Sequence, residues 1–326
     1  MERRNNLSSN MIKKVTVVGT GVIGNGWISR FLSQGYDVVA TDVAEHAEIR
    51  IRQSIENAWP ALEKQGLAKG ASKDRLTFEP DLAKAVADAD LIQENVPERE
   101  ALKRNVLAEI DRFAKPEAII ASSTSGLKPS TLQEDCQRPE RVIVAHPFNP
   151  VYLIPLVELV GGKNTSPETI KVAEQFYQSI NMKPLVISTE VEGHVADRLM
   201  EAIWREALHL INDGVATTEE VDAAIIYGPG LRWALMGPFL TLHLAGGEQG
   251  MRHMLKQFGP ALQLPWTKLV APKLTTDLTN QVIAGCEAQT TGHSITELEQ
   301  RRDEFLIELI QLLEKYWPGA NLSGKL

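Results

Sequence analysis

Lys14-Val15-Thr16-Val17-Val18 is a short β-branched run that stops at Gly19, the pattern of a buried strand. Ile23 to Gln34 carries apolar residues at helical spacing and ends at Gly35, a normal C-terminal glycine. Asp37 to Asp42 reads as a second strand. Further strands are expected at Asp90–Gln93, Ala118–Ala121, Arg141–Val144, Leu156–Val160 and Pro184–Ile187, most of them separated by helical stretches. That alternation builds a mostly parallel sheet covered on both faces. After about Ser188 the strands stop. Val195 to Ile211 is a long helical pattern, and Thr217-Thr218-Glu219-Glu220 carries a capping-box signature ahead of another helix. Ser294 to Tyr316 is a third long helix, with charges on one face and Leu298, Phe305, Leu309 and Leu312 on the other.

The expected fold class is therefore α/β, a Rossmann-type sheet domain followed by an all-helical domain. Residues 1–10 read as a flexible tail, 11–190 as the sheet domain and 191–326 as the helical one. A length of 326 residues suits two domains of unequal size. No apolar run approaches the roughly 20 residues that span a bilayer, and the two arginines at the start precede no signal-like apolar core. Cys136 and Cys286 lie far apart and in no metal-ligand spacing, which suggests reduced thiols in a cytoplasmic protein and no metal site. A formal charge of −8 argues against a general nucleic-acid or anionic-membrane binder.

Gly19-Thr20-Gly21-Val22-Ile23-Gly24 fits the dinucleotide fingerprint, and it follows a strand and opens a helix. The first glycine permits the tight turn, the second lets a pyrophosphate approach the backbone, and the third allows close helix–strand packing. The helix N-terminus then offers free N–H groups to the phosphates. Asp42 ends the second strand 18 residues after Gly24, where a carboxylate bonds ribose hydroxyls. No Lys or Arg follows it until Arg50, so NAD is favoured over NADP. Ser122-Ser123-Thr124-Ser125-Gly126 follows a strand at the end where an open α/β sheet places its ligands, although alone it reads as a common Ser-rich turn. His146 and Glu158 stand twelve residues apart on either side of an apolar run. A histidine whose second ring nitrogen is held by a buried carboxylate has a fixed tautomer, as a base for a substrate hydroxyl requires.

The fingerprint, Glu94-Asn95-Val96-Pro97-Glu98, the serine loop, His146-Pro147-Phe148-Asn149-Pro150 and Leu156-Val157-Glu158 together resemble the 3-hydroxyacyl-CoA dehydrogenase superfamily over nearly the whole chain. Residues 150–162, 204–208, 246–253, 257–260 and 265–268 resemble the branch of that superfamily that oxidises L-carnitine at C3. The resemblance implies an NAD-dependent secondary-alcohol dehydrogenase with His146 as base, Glu158 as its orienting carboxylate and Ser125 on the substrate oxygen. It places Glu98, Lys103 and Asn149 against the cofactor and Phe148 and Asp197 on the substrate side, and implies a homodimer formed through the helical domain. By itself Lys103 reads as a solvated helix lysine.

Two departures bear on the substrate. The superfamily carries Asn before the Arg-Leu pair that starts the long helix, where this chain has Asp197 before Arg198-Leu199. An amide there can donate to a substrate carbonyl, whereas an ionised carboxylate only accepts. Residues 45–66 hold Arg50, Arg52 and Lys64 against Glu45, Glu48, Glu56 and Glu63, where the CoA enzymes are lysine-rich. Both departures favour a small free substrate. Trp204, Trp233 and Trp266 in the helical half offer faces for a quaternary ammonium group, although most such rings serve packing. The alternatives are L-gulonate 3-dehydrogenase, a short-chain 3-hydroxyacyl-CoA dehydrogenase and, outside catalysis, an NAD-binding structural or sensor protein.

Overall fold

The computed structural model describes residues 12–268, 270, 273, 275–280, 284 and 294–316. The terminal tail and Cys286 lie outside them. Eight strands form one sheet: β1 (Lys14–Val18), β2 (Asp37–Thr41), β3 (Leu76–Phe78), β4 (Leu91–Glu94), β5 (Ile119–Ser122), β6 (Val142–Pro147), β7 (Leu156–Gly161) and β8 (Lys183–Ile187). Their spatial order is β3-β2-β1-β4-β5-β6-β7-β8. All neighbours are parallel except β6 and β7, so the last two strands run against the rest. The expected strands are present, each shifted by a residue or two at most or longer than expected. The short strand β3 was not expected; it is three residues long, and only Leu76 is buried.

The helices of this part are α1 (Val22–Ser33), α2 (Ala47–Gln65), α3 (Leu82–Ala87), α4 (Glu100–Phe113), α5 (Pro129–Leu132) and α6 (Pro167–Ser179). Side chains alternate across each strand, and two separate cores result. Val15, Val17, Ile143 and Val157 pack with Trp27 and Phe31 of α1, Ile51 of α2 and Phe176 of α6. Val18, Ile92, Val144 and Val160 pack on the other face with Val86 of α3 and with Leu107 and Ile110 of α4. At the far edge of that second core, Arg141 and Asp111 form a buried ion pair at 2.7 Å that ties α4 to the start of β6.

The chain divides into two compact units between Asp197 and Arg198. The second is helical: α7 (Ala196–Asn212) runs into it, followed by α8 (Thr218–Ile226), α9 (Pro229–Ala245), α10 (Gly250–Phe258) and α11 (Ile295–Tyr316). Thr217 and Glu220 make the expected capping box reciprocally. Helix α9 breaks at Gly237-Pro238, where Gly237 has φ 61°. The apolar face expected on α11 is not a buried one: Phe305 is 64% and Leu312 51% exposed, Leu309 is half-buried, and Ile307 is buried instead. The side chain of Leu298 lies outside the description. No helix among the described residues is long and apolar enough to cross a membrane.

Candidate active site

His146 is the penultimate residue of strand β6, and the antiparallel register sets it directly opposite Glu158 of β7. Both side chains lie on the face of Val144 and Val160, and both residues are buried. His146 Nδ1 and Glu158 Oε2 are 2.9 Å apart. The other Glu158 oxygen accepts the N–H groups of Val195 (3.0 Å) and Ala196 (2.9 Å), at the start of α7. Burial works to raise the Glu158 pKa. The bonds from His146, Ala196 and Val195 more than offset it, so the carboxyl titrates below its ordinary range. A carboxylate that accepts from Nδ1–H leaves Nε2 as the lone pair of the neutral ring. Asp197 Oδ2 stands 3.7 Å from that Nε2, and the Phe148 ring meets the imidazole edge-on at 4.8 Å. His146, Glu158, Phe148 and Asp197 are thus brought together.

The serine loop hangs from the end of β5. Glu98 Oε1 accepts from the Thr124 hydroxyl and from the N–H groups of Ser125 (3.2 Å) and Gly126 (3.3 Å), so the turn wraps one carboxylate oxygen and presents an exposed Ser125. Beneath it, Ser123 accepts from Trp27 (3.0 Å) and Gln93 (2.8 Å) and donates to Asn95 (2.7 Å). The Tyr177 hydroxyl donates to Gln93 at 2.6 Å. Lys103 is not a solvated helix lysine: it is buried, 2.9 Å from the fully buried Glu94 and 3.4 Å from Glu98. Glu94 also accepts from Ser122 and from the Val96 N–H. Sequence reading missed Glu94 as a member of this network. Its signal was a charged residue ending the apolar run Leu91-Ile92, a place where an unpaired carboxylate is costly.

The fingerprint turn fits a dinucleotide. Gly19 has φ +85°, and a Cβ there would come 2.8 Å from the Asn95 backbone. A Cβ on Gly24 would come 2.0 Å from the Gly19 carbonyl, whereas space is open over Gly21. Helix α1 follows its N-cap Gly21 with no side-chain cap and no acid in its first turn, so its N–H groups remain for an anion. Asp42 directly follows β2, one residue past the strand it was expected to end. Its Oδ2 accepts from Thr20 N (2.6 Å) and Thr20 Oγ1 (2.7 Å), and its Oδ1 from Ala44 N (2.9 Å). Burial would raise its pKa, and these bonds together with Arg50 bring it below the ordinary value. Asn149 is exposed just beyond Phe148.

Trp204 belongs to the helical unit. It is 53% exposed and, with Met200, Leu208, Val221 and Asp222, borders an apolar cavity of about 370 Å³ within the helical unit. Trp233 is half-buried, and Trp266 is exposed in the same unit. The buried Cys136 thiol is pushed up to about 12 by burial and by Asp111, which makes it a poor nucleophile.

The NAD binding domain of 3-hydroxyacyl-CoA dehydrogenase matches residues 14–191, and the C-terminal domain of the same family matches residues 193–280. An L-carnitine dehydrogenase of Bacillus cereus is 88% identical over 326 residues, all of both chains. An L-carnitine dehydrogenase of Oceanobacillus iheyensis is 64% identical over 307 residues, 94% of this chain and 100% of that one. Among solved structures, 5-formyl-3-hydroxy-2-methylpyridine 4-carboxylic acid 5-dehydrogenase, an NAD+-dependent dismutase, has a TM-score of 0.78 and 30% identity, covering 93% of this chain and 99% of its own. With both domain models matched in order and a Rossmann turn built for a dinucleotide, this chain belongs to the 3-hydroxyacyl-CoA dehydrogenase family and is an NAD-dependent dehydrogenase.

Proposed function

We propose that this chain oxidises the C3 hydroxyl of L-carnitine to 3-dehydrocarnitine, with His146 as the general base. The observation that carries the chemistry is the buried His146–Glu158 pair at 2.9 Å. The substrate rests on the L-carnitine dehydrogenases that match 94–100% of the chain.

Glu158 is held in place by two main-chain N–H groups before it meets the imidazole, so the ring is oriented by the sheet and by the start of α7. Nε2 takes the hydroxyl proton, and Glu158 stabilises the imidazolium that forms. Ser125, presented by the Glu98-bound turn, donates to the oxygen that becomes a carbonyl. NAD, when bound, supplies the acceptor for the C3 hydride. The α1 N-terminus and the Gly19–Gly24 turn would hold its pyrophosphate and Asp42 its adenine ribose, and Glu98, Lys103 and Asn149 would lie against the cofactor. Phe148 and Asp197 border the substrate. Asp197 adds a negative group beside His146, which suits a trimethylammonium substrate and disfavours an anionic CoA thioester. The helical unit pairs with a second copy, which would cover the apolar side chains it leaves exposed.

Steady-state turnover with NAD separates the readings. L-carnitine should be oxidised far more efficiently than L-gulonate or 3-hydroxybutyryl-CoA. His146→Ala should lower kcat by about 10²–10⁴ while leaving NAD affinity nearly intact. Efficient use of the CoA ester by the wild type, or near-normal turnover in His146→Ala, would overturn the reading.

A further inference from the structure

The segment between β8 and α7 is stitched to the serine loop along its length. The Ser130 N–H donates to Glu190 (2.9 Å), Lys128 pairs with Glu192 (2.6 Å), and the Gly193 N–H donates to the Gly126 carbonyl (3.3 Å). Its end holds Glu158 through Val195 and Ala196. His194 sits between these two sets of bonds. The residue is 1% exposed, its ring centroid is 5.5 Å from that of His146, and Nε2 lies 3.2 Å from the Thr124 carbonyl oxygen. Nδ1 is buried and has no hydrogen-bond partner among the described residues. The backbone there is left-handed, φ 46°, directly after Gly193 at φ 70°. A left-handed non-glycine residue and a buried unpaired acceptor both cost stability. Packing alone would be served better by an apolar ring.

We propose that His194 is a positioning residue for the reaction: its imidazole pins the Thr124 carbonyl, and through it the Ser125 turn, at a set place beside His146. The inference rests on the proposed roles of Ser125 and His146. A carbonyl only accepts, so Nε2 carries the proton and Nδ1 of the neutral ring is a bare lone pair. Protonating Nδ1 would bury a donor with no acceptor. It would also set a second cation beside the imidazole that must itself become one. The charged and titratable groups facing His194 are His146 from β6, Glu158 from β7 and Asp197 from α7, with Glu98 on the far side of Thr124. Burial, assisted by His146, outweighs the Thr124 bond and the two nearer carboxylates, and holds the ring below the ordinary histidine range. His194 therefore supplies one fixed donor and no charge.

Two substitutions separate this role from plain packing. His194→Phe keeps a ring but loses the donor; His194→Gln places an amide N–H at the same reach. With NAD and L-carnitine, or whichever of the three secondary alcohols the wild type oxidises, His194→Phe should lower kcat about tenfold to a hundredfold through misplacement of Ser125. The KM, the NAD affinity and the melting temperature should change little, and His194→Gln should recover most of the rate. ¹⁵N-histidine spectra should show a neutral Nε2–H imidazole at about pH 6.5, where an ordinary histidine is half protonated, and His194→Gln should remove that signal. Wild-type kcat in His194→Phe, equal rate losses in both variants, or a doubly protonated His194 resonance would overturn the proposal. A wild type that ignores carnitine but uses another alcohol would overturn the substrate reading and leave these comparisons intact.

Discussion

The two units of the chain bury apolar surface to different degrees. In the first, each sheet face has its own core, and Trp27, Phe31, Phe176 and Tyr177 are fully buried and packed ring against ring at 5.2–6.0 Å. In the second, the buried apolar side chains among the described residues are Leu208, Leu278 and Ile307. There Phe239 is 81%, Leu231 68% and Trp204 53% exposed. A sheet covered by helices on both faces closes its core within one chain. The same chain thus carries one part that closes its core within itself and one that, among the described residues, leaves large apolar side chains exposed.

The sharpest way to break that contrast is to cut the same side chain in both units. Phe31→Ala should destabilise the chain by about 3–5 kcal/mol. Phe239→Ala, studied at concentrations where any pairing is diluted out, should stay within about 0.5 kcal/mol. Denaturant melts check both, and similar losses would mean that the helical unit has a core of its own. The next effect concerns association. Leu231→Glu should weaken self-association by about tenfold or more, about 1.4 kcal/mol, in sedimentation experiments, with NAD affinity unchanged. A wild type that stays monomeric at all concentrations would remove the proposed homodimer.

The smallest effect is in acid. Glu158 and Asp42 both titrate below their ordinary values in the folded chain. A carboxyl whose folded pKa is depressed contributes stability that is present above its unfolded pKa, about 4, and is lost as the pH falls through the folded value. The sheet unit should therefore lose stability progressively below about pH 4–5, and Glu158→Gln should flatten that slope. An unchanged slope in Glu158→Gln would place the acid-labile groups elsewhere. Asp213 and Glu220 of the helical unit shift the same way but lie at the surface, so their part is screened.

The same contrast explains what could be read in the sequence. The strands were legible because each is a short apolar run closed by a turn residue, and β3 escaped because Leu76–Phe78 is too short to form one. Helices α9 and α10 were not delimited, since Pro229, Gly237-Pro238 and the Gly246-Gly247 pair interrupt any period. On α11 an apolar stripe was legible, but a stripe does not say whether its own chain covers it. In the site, His146 and Glu158 stood out as residue types, while their pairing is a matter of strand register that spacing alone does not give. Lys103 and His194 were opaque for a common reason. Both are polar residues whose meaning lies in distant partners, Glu94 and Glu98 for one and Thr124 for the other.

Because His146 and Glu158 face each other across an antiparallel ladder, their separation is set by main-chain hydrogen bonds and not by the loop that joins them. That loop is anchored independently: Arg30 donates twice to the Val151 carbonyl at 3.3 Å, and Gly26 leaves room for Val151 against α1. Phe148, on that loop, is therefore supported separately from the His146–Glu158 pair, whereas Asp197 adjoins the Val195 and Ala196 N–H groups that hold Glu158. Residues of the loop can therefore change without disturbing the strand ladder that pairs His146 with Glu158, while a change in the first turn of α7 reaches Glu158 directly.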